Sequence, residues 1–380
     1  MDLKNFDYNL PQELIATRPA SPRDGSRLFV YNTAADEIIF DRFYNLDKYL
    51  PHDAFLVLNQ TKVAPARLNL FKETGGRVEL LLLINELQAG DKTIKSLSDR
   101  KLVVGQKLFF SDGANGGANG RNATRGLSKS AGGIKPAFFV TGQNKNIFLL
   151  RPNFSLAQLR DILFKYGSTP IPKYIKNSSL TERELRKKYQ TVFAADDKHG
   201  ESGSVAAPTA SLHFTNRVFE KLSRQKVPHV FVTLNIGLGT FAPIAEDNIK
   251  NKKLFNEYYK IEKSAARKII KFKNAGKKLV AVGTTTVRTL ESAVKFLEAK
   301  SDGLKQNFCG ATDLFIFPPY DFKLVDCLVT NFHLPNSSLM MLVEAFLQHK
   351  KAPRNLIDLY KTAVENRFRF YSFGDAMLII

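Results

Sequence analysis

Leu279-Val-Ala-Val-Gly283-Thr-Thr-Thr-Val-Arg-Thr-Leu-Glu-Ser292 holds three kinds of pattern in fourteen residues. Leu279 to Val282 is a short aliphatic run of the sort a buried strand needs. Gly283-Thr284-Thr285-Thr286 is a polar turn, and Val287 to Leu297 reads as the helix that follows it. Strand, turn, helix recurs along the chain. Val230 to Leu234 is a strand that runs into Gly237-Leu-Gly239-Thr240. Leu324 to Thr330 is a strand, Thr330 to Ser338 a polar loop, and Leu339 to Leu347 a helix. Between them, Glu262 to Ala275 carries Ala265, Ala266, Ile269, Ile270 and Phe272 at helical spacing, with Gly276 as its stop. Such alternation predicts an α/β layer architecture.

The strand around Phe55 needs partners in that sheet, yet between about Leu68 and Arg151 no helical period occurs. Arg77 to Ile84, Lys107 to Phe110, Ala137 to Val140 and Asn146 to Leu150 read as strands of a small β unit. The expected organisation is therefore one α/β unit of residues 1–67 and 152–380, with residues 68–151 inserted as a β domain. Within the insertion, residues 111–136 are rich in Gly, Ala, Asn and Ser and are expected to form a flexible tip. Its scattered basic residues suit an anionic partner, while an inert insertion is the simpler reading.

Composition narrows the function classes. Of 380 residues 44% are apolar and 24% charged, which suits a globular chain and excludes wholesale disorder. Two cysteines, Cys309 and Cys327, exclude a disulfide framework and a cysteine zinc site. Met1 to Phe6 has no apolar signal region. The longest run without Asp, Glu, Lys or Arg, Val227 to Ala245, holds two prolines and two glycines and does not read as a membrane span. The expectation is a cytoplasmic protein without membrane association.

The net charge of +20 is uneven. Residues 1–100 carry 13 Lys and Arg against 14 Asp and Glu, so the excess lies in the other 280. Residues 250–278 alone hold eleven basic residues, Lys252, Lys253 and Lys271 among them, against Glu257 and Glu262. A second run contains Lys173, Lys176, Arg186 and Lys187. Clustered cations favour a polyanion through counterion release. Lysine without interleaved aromatics gives no base readout, so charge alone points to nucleic acid and also fits ordinary solvated helix faces.

Hydroxyls and backbone N–H groups at Gly283 to Thr286 make a cradle for an anion or a ribose edge. A plain strand-to-helix turn with Thr286 as its cap satisfies the same pattern. Arg288 and Glu291, three apart, either face one cleft or pair with each other. His333 beside Pro335 is a candidate acid or base near neutral pH. Ser204 to Thr215 is a run of small residues containing His213, where the backbone can approach a ligand closely. No nucleophile elbow surrounds Ser211, and no Walker A or His-Glu-x-x-His motif occurs, so serine hydrolysis, P-loop chemistry and zinc hydrolysis lose their usual support.

Taken in order, the blocks Phe6 to Ile15, Val57 to Arg67, Tyr189 to Phe193, Gly203 to Thr215, Val282 to Ser292, Thr312 to Ile316, Thr330 to Pro335 and Tyr371 to Ile379 resemble the S-adenosylmethionine:tRNA ribosyltransferase-isomerase family of queuosine biosynthesis. The resemblance implies a partly barrel-like α/β main domain with an inserted β domain. It implies transfer of the ribosyl part of S-adenosylmethionine to 7-aminomethyl-7-deazaguanine at the tRNA wobble position. The product is epoxyqueuosine, with adenine and methionine released. S-adenosylmethionine is then a co-substrate, tRNA the partner, and no metal is implied; a monomer is expected. His213, His333 and Glu257 are the implied proton-transfer candidates. Thr284, Thr285, Thr286 and Arg288 are assigned to the sugar, the adenine or the methionine carboxylate. Asn59, Thr61, Arg67, Thr209, Thr240 and Asn331 lie in matching blocks as further substrate contacts, and the cations named above become RNA contacts.

The match has departures. Asn235 stands where the family usually has a histidine before its Gly-x-Gly-Thr-Phe loop. Lys252 and Phe255 stand where it usually has the two histidines of His-x-Met-His-x-Glu, of which Glu257 alone remains. Gln60 and Lys62 replace the usual Asp and Arg, and residues 196–202 form a longer loop than usual. Alternatives to the active transferase are a divergent relative with another acceptor and a non-catalytic protein that binds RNA or S-adenosylmethionine.

Overall fold

A computed structural model gives the fold and describes residues 3–88, 90–110, 135–172, 174–175, 178–195, 203–237, 239, 244, 246–298 and 306–380. The expected tip at 111–136 lies almost wholly outside these residues, as do the 196–202 loop, Lys173, Lys176 and Thr240.

The chain opens with β1 (Arg27–Asn32), β2 (Glu37–Arg42) and the fully buried β3 (Ala54–Asn59). It then enters β4 (Arg67–Lys72), β5 (Arg77–Leu82), β6 (Ile94–Ser98), β7 (Lys107–Phe110), β8 (Ala137–Asn144) and β9 (Ile147–Pro152). These six antiparallel strands run in the order β4-β5-β6-β9-β8-β7, and β7 pairs back onto β4, closing a barrel. Closure leaves no bare edge. Leu68, Leu70, Leu80, Leu108, Phe138 and Leu150 fill the interior. Helix α1 (Leu159–Tyr166) adds Leu159 and Leu163 to the same core, and β10 (Gly167–Ser168) pairs with β4. The hydrogen-bonded unit thus continues past residue 151.

After α2 (Glu182–Lys188) and α3 (Asn216–Arg224) come β11 (His229–Leu234), α4 (Glu246–Asn251), β12 (Lys253–Ile261) and α5 (Lys263–Asn274). Then follow β13 (Lys278–Val282), α6 (Thr284–Ser292), α7 (Val294–Glu298), β14 (Phe308–Leu314), β15 (Cys327–Asn331), α8 (Ser338–His349), α9 (Leu356–Glu365) and β16 (Ala376–Ile379). The large sheet takes the order β14-β12-β11-β3-β13-β15-β16-β1-β2 and stays open. Both ingredients of the expected class are present, and barrel closure falls in the inserted β unit.

At the centre of the sheet, β11, β3, β13 and β15 run parallel. Burial on both faces explains the continuous apolar sequences of β3 and β13. Phe55 and Val57 face the core shared with α5, α6, α8 and α9, while Leu56 and Leu58 face the core shared with α3. Two expectations shift in detail. The helix read from Val287 begins at Thr284, because Gly283, at φ 90, already serves as its N-cap, and it breaks at Ala293. The basic run 250–278 is the end of α4, the strand β12 and all of α5, so its cations do not share one helix face.

Candidate active site

Parallel strands end on one edge, so the turns leaving β3, β11, β13 and β15 meet there. The chain leaves β3 for β11 on one side and returns across it to β13 on the other. That reversal is the place where open α/β sheets gather ligands. A cleft lies at this edge and opens to solvent. Its wall is apolar at Leu254, Phe255, Ile316, Leu339 and Leu342 and polar at Glu257, Thr284, Thr285, Arg288 and Ser338. An apolar wall with a few convergent polar groups is the usual form of a small-molecule site. Phe255 is 37% exposed and lies across from Gly239, forming part of the wall without filling the space.

Glu257 and Arg288 form a buried ion pair on the wall. Glu257 also takes the N–H of Gly237 at 2.9 Å. Arg288 gives its other N–H groups to the carbonyls of Leu314 (3.0 Å) and Thr312 (3.3 Å). One side-chain pair therefore ties the loop after β11 to helix α6 and strand β14. Glu291 does not join it. Its carboxylate receives the N–H groups of Lys323, Leu324 and Val325, so the cleft-facing and ion-pair readings of Arg288 with Glu291 are both corrected. Burial raises the pKa of Glu291, and those N–H bonds oppose the rise.

Asn59, at the end of β3, bonds both the N–H and the C=O of Leu234 and gives a 3.3 Å hydrogen bond to Thr285. Thr61 donates to Asn235 at 2.8 Å. The pair therefore fastens β3 to β11 and to the first turn of α6, just behind the cleft. Thr284 and Thr285 line the cleft at the positive end of that helix. Thr286 does not: its hydroxyl bonds back to Val282 O at 2.7 Å and is buried, so the expected substrate contact is corrected to a helix-start bond.

The two histidines fall on opposite faces of the sheet, because successive strand residues point opposite ways. His213 sits between Ser26 (2.8 Å to Nδ1) and Asn331 (3.1 Å to Nε2), packed on the ring of Phe43. Asn331 uses the same amide on Asp375 O, so it is a clasp for His213 rather than a cleft residue. His333 bonds Thr330 at 2.8 Å, while its backbone bonds Tyr360 and Tyr8. Burial lowers the pKa of His213 to about 4 and that of His333 to about 3, leaving both neutral at pH 7. Neither lines the cleft.

Other expected residues lie elsewhere. Arg67 starts β4 and pairs with Glu79 and Ile171 O, inside the barrel unit's own framework. Thr209 opens the 3-10 turn that carries His213. Arg186 bonds Glu182 and the carbonyls of Phe164 and Gly167, which fastens α2 to α1 and β10. Lys187, Lys252 and Lys271 are exposed, and Lys253 pairs with Asp313 at 2.7 Å.

Sequence reasoning did not assign the wall residues Leu254, Ile316, Ser338, Leu339 and Leu342 to the site, and it noted Phe255 as standing in place of a family histidine. It also missed Asn85, a fully buried barrel residue whose amide has no partner among the described residues. A Cβ on Gly237 would stand 2.3 Å from its Nδ2, so glycine there makes room for the barrel. Among the described residues no group of three or more His, Cys, Asp or Glu side chains is placed to hold a metal ion. Among the same residues no helix is long and apolar enough to cross a membrane.

Comparison with known proteins bears on this geometry. The family model described as "Queuosine biosynthesis protein" matches residues 3–379. The S-adenosylmethionine:tRNA ribosyltransferase-isomerase of Thermotoga maritima is 40% identical over 381 residues, covering 100% of each chain. The protein of that name from Carboxydothermus hydrogenoformans is 40% identical over 380 residues, again covering 100% of both. A crystal structure of the S-adenosylmethionine tRNA ribosyltransferase of Thermotoga maritima matches 99% of each chain at 30% identity, with a TM-score of 0.50.

Proposed function

The chain belongs to the queuosine biosynthesis protein family and is a transferase-isomerase enzyme, and on that premise we propose that its reaction runs in the cleft at the carboxyl edge of β11, β3 and β13. The ribosyl group of S-adenosylmethionine moves onto 7-aminomethyl-7-deazaguanine in the tRNA wobble position. Epoxyqueuosine forms, and adenine and methionine leave. The observation that carries the assignment of place is the meeting of Glu257 from β12 with Thr284, Thr285 and Arg288 from α6 on one wall.

The first turn of α6 offers hydroxyls and a positive helix end, which suit a ribose edge or the methionine carboxylate. The apolar wall suits the flat face of a base. A carboxylate oxygen has room for two hydrogen bonds, and each oxygen of Glu257 uses one within the protein. Glu257 therefore keeps acceptor capacity toward the cleft, and we assign it the proton-accepting role. His213 and His333, neutral and clasped on either side of β15, act by holding the loops in place. Asn59 and Thr61 position Thr285 and the loop after β11.

The test incubates the protein with S-adenosylmethionine and tRNA bearing the aminomethyl-deazaguanine, then follows adenine release and nucleoside mass. Adenine together with the epoxyqueuosine mass is expected. Adenine without a new nucleoside would mean another acceptor, and absence of both products would remove the catalytic assignment.

A further inference from the structure

The inside of the barrel is filled by Leu70, Leu108, Phe138, Val140 and Leu150, so the alternating residues of the same strands face outward. On β7, β8 and β9 these set aromatic rings among cations. Lys107 pairs across strands with Phe139, and Phe139 with Arg151. The Lys107 ammonium stands 4.9 Å from the ring centre of Phe109 and 5.4 Å from that of Phe139. The Arg151 guanidinium lies 5.9 Å from the Phe139 ring. Phe71 pairs with Phe109 across β4 and β7 and extends the row. Elsewhere on the barrel Lys72 and Arg77 bond the Lys101 carbonyl and the Asn69 side chain, while Arg67 and Lys95 have the carboxylates of Glu79 and Glu86. Lys107 and Arg151 have none among the described residues.

Outward rings interleaved with uncompensated cations match what a single-stranded nucleic acid offers, namely flat bases to stack and phosphates to neutralise. The interleaving here lies on an outer face, whereas Tyr259 and Phe272 of the run 250–278 pack into the core. It is assembled across three strands, so no stretch of sequence displays it. We propose that the outer face of β7, β8 and β9 is a second contact surface for the tRNA, apart from the cleft, with Phe139 stacking an unpaired base and Lys107 and Arg151 holding phosphates. The identity of the partner rests on the function proposed above.

The experiment measures the anisotropy of labelled tRNA with the full chain and with Arg151→Glu, Phe139→Ala and Arg100→Glu. Arg100 is an exposed barrel cation outside the row. Its reversal changes the net charge as much as that of Arg151, so it isolates position from total charge. Affinity is expected to fall about tenfold in Arg151→Glu and Phe139→Ala, within the range of one lost base stack, and to stay within about twofold in Arg100→Glu. Equal effects of the two arginine reversals, or none, would overturn the surface. Thermal melts check folding, and exposed Arg151 keeps the test decisive if Phe139→Ala unfolds. Adenine release from the wild-type preparation is scored separately. Wild-type protein that binds tRNA without releasing adenine loses the catalytic reading while the affinities still judge the surface. Wild-type protein that binds no tRNA overturns the surface itself.

Discussion

Arg288 looks like a ligand-binding arginine in the sequence, two positions after a Gly-Thr-Thr-Thr turn. Its guanidinium instead meets Glu257 and the carbonyls of Thr312 and Leu314. The pair spans 31 residues, which no local pattern reveals. Removing one member strands the other as a buried charge. Arg288→Met is expected to cost roughly 3–5 kcal/mol of stability. The double variant Arg288→Met/Glu257→Met is expected to lose less than the two single losses added together. Urea unfolding of the four proteins measures this coupling, and simple additivity would show that the two side chains act independently. The threonines were legible because a strand-to-helix turn announces itself locally. Even so, the sequence did not separate Thr284 and Thr285, which reach the cleft, from Thr286, which turns back on Val282.

Strand β15 shows how one element divides two motifs that look alike. Asn331 reaches His213 on one face, and Thr330 reaches His333 on the other. Period-two alternation makes that division unavoidable once the strand is placed. Burial holds both imidazoles neutral, with pKa values of about 4 and about 3 against 6.5 in an open chain. Below about pH 6.5 the unfolded chain therefore takes up protons that the folded chain refuses, and stability falls with acid until the folded values are reached. Each histidine contributes up to about 1.4 kcal/mol per pH unit within that window, and nothing above it. Melting temperatures between pH 7.5 and 5 are expected to drop, with a shallower slope in His333→Gln; an unchanged slope would show that His333 is not the buried neutral group described. The aliphatic strands β3 and β13 were legible because both of their faces are buried, and β11 because its buried and half-buried residues alternate. Strand β12 was not, because Asn256, Glu257 and Lys260 interrupt its apolar positions and its burial alternates only in its second half.

At the scale of the molecule, charge that looks like one patch in the sequence is distributed to opposite ends of the sheet. Lys252 lies two positions before the cleft-wall residue Leu254 at the carboxyl edge, and its ammonium lies over Phe317. Lys271 lies in the last turn of α5, which delivers the chain to the start of β13 at the amino edge. Its neighbour Lys273 is anchored there by Asp326, just ahead of β15. A twelve-residue helix is about 18 Å long, and charges are screened over about 8 Å at physiological salt, so the two ends act separately. If the wobble base enters the cleft, phosphates beside it pass Lys252 and not Lys271. Lys252→Glu is then expected to weaken tRNA binding about fivefold or more and to flatten the dependence of log affinity on log salt, because one phosphate contact is lost. Lys271→Glu, with the same change in net charge, is expected to stay within about twofold. Salt titrations of both variants by anisotropy measure the difference. Equal losses would mean that the RNA senses the whole field of the protein, and a larger loss for Lys271→Glu would put the RNA on the far edge of the sheet, away from the chemistry assigned to the cleft.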